Sequence, residues 1–291
     1  MRYVEMFSSE TQTIDDIRIA FRRAGDGPPL LLLHGFPQTN MMWHKIAPAL
    51  AEHFTVIAAD LRGYGDSSTP DSDAGHFSYA KRAMAADMVG LMRKLGHQRF
   101  MVAGHDRGGR VAHRMARDHA DRVDRVAVLD IAPTAAMYGQ TDMSFATAYY
   151  HWFFLIQPAP LPERMIDADP EFFLRSKCGQ WGRTEGAITD AAFADYLRCF
   201  QRPETVHAMC EDYRAAATID LDHDAADADI KLAMPLLALW GVDGFVGTNY
   251  DVLAEWRQVA RNVSGHGVPG GHYLPEEAPD ETLAALVNFL S

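Results

Sequence analysis

The stretch Gly104-His105-Asp106-Arg107-Gly108 sets an acid midway between two glycines. An apolar run, Phe100 to Ala103, leads into it, and the residues from Arg107 to Ala112 lead out as a helix. An acid at such a strand-to-helix turn reads as a nucleophile elbow, with glycines on both sides because the strained backbone leaves neighbouring side chains no room. The residue type decides the chemistry. A serine attacking a saturated carbon would leave an ether that cannot be hydrolysed, whereas an aspartate leaves an ester that can. Asp106 therefore points to substitution at carbon followed by ester hydrolysis. The plainer alternative is an exposed helix N-cap.

Three further segments supply what that chemistry needs. His34-Gly35-Phe36-Pro37 follows an early apolar run, so that the backbone N–H of Phe36 and that of Arg107 are expected to form an oxyanion hole. Gly270-Gly271-His272-Tyr273 places a histidine in a glycine-bent loop near the carboxyl end, and His272 is the expected general base. Two carboxylates compete to orient it. Asp130 ends the run Val126 to Leu129, and Asp243 follows the run Leu236 to Trp240. A carboxylate at the end of a buried strand needs a buried partner, which favours Asp130.

The elements that must position these residues alternate in the manner of βαβ units. Leu30 to Leu33, Phe54 to Ala59, Phe100 to Ala103, Val126 to Leu129 and Leu236 to Trp240 read as parallel strands covered on both faces, and the candidate residues cluster at their carboxyl ends. From Pro133 the strand rhythm stops. The sequence turns aromatic and helical, with Tyr149, Tyr150, Trp152, Phe153 and Trp181, and a strand signal returns at Met234. The expected organisation is an α/β core of residues 1–133 and 221–291, roofed by a helical cap of residues 134–220.

Composition narrows the function. The 291 residues are 48% hydrophobic, enough for one large domain with an insertion. A formal charge of −12 disfavours nucleic acid and anionic membranes as partners. An anionic substrate then needs a local cationic site, which screening over roughly 10 Å permits. Cys178, Cys199 and Cys210 match no metal-ligand spacing, so neither metal nor cofactor is expected. No leader pattern and no membrane-length apolar run appear, which leads us to expect a soluble, cytoplasmic protein.

The segments HGFPQT at His34, DLRGYGDS at Asp60, GHDRGGRVAHR at Gly104, LDIAPT at Leu129, YHWFFL at Tyr150, CEDYRA at Cys210 and GGHYLPEEAP at Gly270 resemble the haloacetate (fluoroacetate) dehalogenases among the aspartate-nucleophile α/β-hydrolases. The resemblance runs over nearly the whole chain. It implies an α/β-hydrolase fold, a small anionic haloacid as substrate and a homodimer. It gives Asp106, His272 and Asp130 the roles of nucleophile, base and acid. Arg107 and Arg110 become a clamp for the substrate carboxylate, and His151, Trp152 and Tyr213 a halide pocket. The chemistry agrees: two guanidinium groups beside the nucleophile suit one carboxylate, and three N–H or O–H donors suit a leaving fluoride. Asp243 departs from the pattern, because an acid after that strand is typical of epoxide hydrolases, which share the aspartyl ester. Arg107 argues against that alternative. A non-catalytic ligand-binding relative of the same fold is the reading from another class.

Overall fold

Short aliphatic runs become the middle of one eight-stranded sheet in a computed structural model that describes residues 2–291. In chain order the strands are β1 (Ser8–Ile14), β2 (Ile17–Ala24), β3 (Pro29–Leu33), β4 (Thr55–Ala59), β5 (Phe100–His105), β6 (Val123–Leu129), β7 (Leu236–Gly241) and β8 (Val263–Val268). Their spatial order is β1-β2-β4-β3-β5-β6-β7-β8. The first two strands pair antiparallel with their neighbours, and β3 to β8 run parallel. The central strands are buried on both faces, which explains why β3 and β5 read as unbroken apolar runs.

Helices cover the sheet. In the helix Lys81–Lys94 the residues Met84, Ala85, Met88, Leu91 and Met92 recur at helical spacing and are buried. It packs on the helix Arg107–Asp118, which is buried from Arg107 through Ala116. The crossover order leaves the carboxyl ends of β3, β5, β6 and β7 adjacent, and His34, Asp106, Asp130 and the Gly241 turn emerge there.

The insertion between β6 and β7 is all helical, from Thr134–Gly139 to Ile219–Ala226. Local signals start several of its helices. Asp142, Asp169 and Thr189 each accept the N–H three residues on, and Pro170 opens the helix Pro170–Trp181. The boundary expected at residue 220 falls inside the helix Ile219–Ala226, because Asp220 in its first turn already accepts the N–H of Lys81 from the core. Further ties seat the helices on the core: Thr39 donates to Asp195 at 2.6 Å, and Arg202 to Asp66 at 2.9 Å. Among the described residues, no helix is long and apolar enough to cross a membrane.

Candidate active site

Asp106 sits on the turn between β5 and the helix Arg107–Asp118 with φ 44° and ψ −114°, a strained backbone for a non-glycine residue. Gly35 makes the room beside it, since a Cβ there would lie 2.5 Å from Asp106 Cβ. With the loops this close, Phe36 N–H donates to Asp106 Oδ2 at 2.9 Å. No hydrogen bond joins the Arg107 N–H, the second expected oxyanion donor, to that carboxylate among the described residues. Burial pushes the Asp106 carboxyl up, but His272, Arg107 and Arg110 nearby outweigh it and hold it below the ordinary range. Asp106 is therefore an ionised carboxylate with one oxygen fixed and the other free.

His272 Nδ1 lies 2.6 Å from Asp130 Oδ2. The other Asp130 oxygen accepts the Gly241 N–H at 3.0 Å, so both oxygens are used. Nδ1 thus carries the proton and leaves Nε2 to act as a base. Burial would lower the His272 pKa, yet the hydrogen bond and charge of Asp130, with Asp106 behind, raise it above its ordinary value. His105, which precedes Asp106 in the elbow, is neutral, its pKa pushed down to about 3 by burial and His272. It donates from Nε2 to the His272 carbonyl at 2.8 Å, fixing the loop from below. Asp243 is exposed. Its carbonyl accepts Arg183 Nε at 3.1 Å, and its carboxylate makes no bond to His272 among the described residues.

The two arginines are buried but differently held. Arg107 donates from Nε to Asp212 Oδ2 at 2.9 Å and from Nη2 to Asp212 Oδ1 at 2.7 Å. Tyr64 donates to the same carboxylate at 2.6 Å, and Lys81 is paired with it. Burial raises the Asp212 pKa, but Arg107 and Lys81 overcome this and hold it ionised. Arg107 Nη1 remains without a partner among the described residues. Arg110 donates to the Ala132 carbonyl and Thr134 Oγ1, has no carboxylate partner among the described residues, and leaves Nε unpaired.

The helical insertion faces these groups with rings. Tyr213 lies 4.1 Å under the Arg107 guanidinium, and Trp152 lies 4.8 Å under that of Arg110. Ring centroids of His151 and Tyr213 are 5.5 Å apart, and those of Trp152 and Tyr213 are 6.4 Å apart. Burial, with Lys177 nearby, drives the His151 pKa far down, so its imidazole is neutral. Asp106, His272, His151 and Trp152 line a cavity of about 10 Å³ together with Tyr149 and Trp181. That is room for about one water-sized group before anything moves. A vestibule of about 140 Å³ shares Tyr149, Trp181 and His272 with it and opens past Arg183 and Asp243.

A family model for the alpha/beta hydrolase fold matches residues 28–279. The chain belongs to that family. It is 43% identical over 288 residues to a fluoroacetate dehalogenase of Burkholderia sp, covering 99% of this chain and 95% of the relative. A soluble epoxide hydrolase of Corynebacterium sp. (strain C12) is 34% identical, with 96% and 95% covered. Among solved structures, one from Nostoc sp PCC 7120 described as an alpha/beta hydrolase superposes with a TM-score of 0.97 at 57% identity, covering 98% of each chain.

Within this α/β-hydrolase frame the structure brings together Asp106, His272, Asp130, Phe36, Arg107, Arg110, His151, Trp152 and Tyr213. Sequence reasoning missed four neighbours. Asp212 stands beside Tyr213 in the CEDYRA segment, and its signal was an acid next to a candidate donor on one helix. His105 lies inside the elbow motif. Tyr149 and Trp181 were visible only as two aromatic residues among many.

Proposed function

We propose that the protein hydrolyses the carbon–halogen bond of short 2-haloacids of the haloacetate type, fluoroacetate among them, to a 2-hydroxyacid and halide through an ester on Asp106. One observation carries this reading: among the described residues a buried Arg110 guanidinium has no carboxylate partner, and its charge, with that of Arg107, whose Nη1 is unpaired, acts on the ionised Asp106. Burial and the neighbouring Arg107 disfavour the charged Arg110, Asp106 offsets this only in part, and a substrate carboxylate would relieve the rest. The Burkholderia relative's activity supports the same choice.

In the proposed course the arginines hold the substrate carboxylate, and Asp106 Oδ1 attacks the carbon from the side opposite the halide. The C–O bond forms as the carbon–halogen bond breaks, and the halide leaves with its charge toward the donors of His151, Trp152 and Tyr213. Oδ2 then becomes the ester carbonyl, already facing the Phe36 N–H. His272 Nε2 takes a proton from water as the water oxygen bonds to the Asp106 carbonyl carbon, and the negative charge that develops on Oδ2 meets the Phe36 donor. Collapse expels the hydroxyacid oxygen, which receives the proton from His272.

The buried Tyr149 and Tyr213, with the Corynebacterium relative, favour a second reading, epoxide opening by the same nucleophile. Nothing in that chemistry uses Arg110. The test sets halide release from fluoro-, chloro- and bromoacetate against diol formation from a styrene-type epoxide. For the haloacids, His272→Ala should release about one halide per protein while the ester accumulates on Asp106, because attack by a carboxylate needs no base. A folded variant that gives neither halide nor an adduct by protein mass spectrometry defeats the covalent mechanism.

A further inference from the structure

Glu277 follows the catalytic histidine by five positions and takes no part in the steps above, yet its carboxylate accepts four backbone N–H groups. Two belong to the catalytic loop, Gly271 to Oε2 at 3.0 Å and Tyr273 to Oε1 at 2.8 Å. The other two belong to the cap, Arg183 to Oε2 at 2.6 Å and Thr184 to Oε2 at 3.0 Å. One carboxylate therefore binds both sides of the boundary between core and cap. A direct bond runs alongside it, from His272 N–H to the Trp181 carbonyl at 3.1 Å. The two chains lie so close that a Cβ on Gly271 would stand 2.3 Å from the Trp181 oxygen, which gives the second glycine before His272 its reason. Trp181 in turn lines both the catalytic cavity and the vestibule.

We propose that Glu277 is a positioning residue that locks the His272 loop to the cap segment 181–184, so that the base and the Trp181 wall of the cavity reach their working places together. This rests on His272 serving as the base of the proposed hydrolysis. Backbone N–H groups clustered at a loop need an acceptor, and a carboxylate takes several at once where a neutral side chain cannot. Its negative charge also faces His272, which is surrounded by Asp130 from the end of β6, Asp106 and His105 from the elbow, His151 from the cap, and Arg183 and Asp243 at the vestibule. Glu277 adds to the stabilisation that Asp130 and Asp106 give the imidazolium.

The test compares Glu277→Gln with Glu277→Asp. In the glutamine variant the amide turns donors toward donors, and kcat for halide release should fall roughly 10- to 100-fold, the cost of a misplaced catalytic group. The Asp106 ester should then build up during turnover, visible by protein mass spectrometry, because hydrolysis and not displacement is slowed. The acid limb of the kcat profile should move to lower pH, since a negative charge near the base is gone. Glu277→Asp keeps the charge and should leave that limb in place while recovering part of kcat. Wild-type kcat in the glutamine variant overturns the proposal, and so does a loss of kcat with no ester and an unmoved limb. A second arm needs no substrate: amide hydrogen exchange in segments 181–184 and 270–273 should quicken together in Glu277→Gln. Should the wild-type protein release no halide, the haloacid reading fails by itself, and unchanged exchange in those two segments is then what overturns the lock.

Discussion

The groups at the strand ends and the groups that surround them differ in how completely they are paired. At the strand ends, Asp130 uses both oxygens, His272 is held at Nδ1 and at its backbone, and Asp106 Oδ2 has its donor. Around them, Arg107 Nη1 and Arg110 Nε from the core helix and Tyr138 Oη, His151 Nδ1 and Trp181 Nε1 from the helical insertion are buried without a partner among the described residues, as is His105 Nδ1 at the elbow. Buried polar atoms are nearly always paired in folded proteins, so a cluster of orphans weighted toward donors marks a place where a ligand brings acceptors. Folding pairs most of the strand-end groups, His105 Nδ1 excepted, and the unpaired donors around them are the ones that the proposed anionic substrate would complete. Chemistry and recognition are divided accordingly.

The sharpest way to break that division is at the strand ends. Asp130→Asn should reduce turnover by roughly 10⁴-fold, because the amide presents the wrong partner to Nδ1 and costs the base its tautomer. Asp243→Asn should leave turnover within a few-fold, its carboxylate having no bond to His272 among the described residues. A pH profile adds the sign. His272 must be neutral to act, and Asp130 raises its pKa above the ordinary 6.5, so the wild-type acid limb lies above that value. Asparagine removes the cause, burial then dominates, and the limb falls. A larger loss in the Asp243 variant would move the acid to β7.

Next in size is the joint between the halves. Asp212→Asn leaves Arg107 buried without its counter-charge and Lys81 with Asp220 alone, at 3.4 Å, and unfolding free energy should drop by about 3 to 5 kcal/mol, the cost of breaking a buried pair. Urea unfolding reads this, and the KM for haloacetate should change along with it, since Arg107 loses its anchor. Unchanged stability would mean that Asp212 is not what holds the clamp.

The smallest effect belongs to the cap. Trp152→Phe keeps a ring under Arg110 and removes one N–H donor, so fluoride release should slow by about 10-fold or somewhat more, the worth of one hydrogen bond to a charged group. Bromoacetate, whose leaving ion needs hydrogen bonds less, should be affected less. Equal losses for both halides would assign Trp152 to packing alone.

By itself the sequence determined the elbow at Asp106, the Gly35-Phe36 turn, the His272 loop and the alternation that builds the sheet. These are local features: glycine spacing, apolar runs and turn residues act within a few positions, and their physics is written along the chain. Which carboxylate lies against His272 was narrowed by strand burial and decided by contact, because Asp130 and His272 stand 142 positions apart. Tertiary structure alone paired Arg107 with Asp212 across 105 positions, set Trp181 at the cavity wall, and put the Glu277 carboxylate against the N–H groups of a loop more than 90 residues earlier. Which groups a buried charge meets depends on what the fold brings opposite it, and no local pattern encodes that.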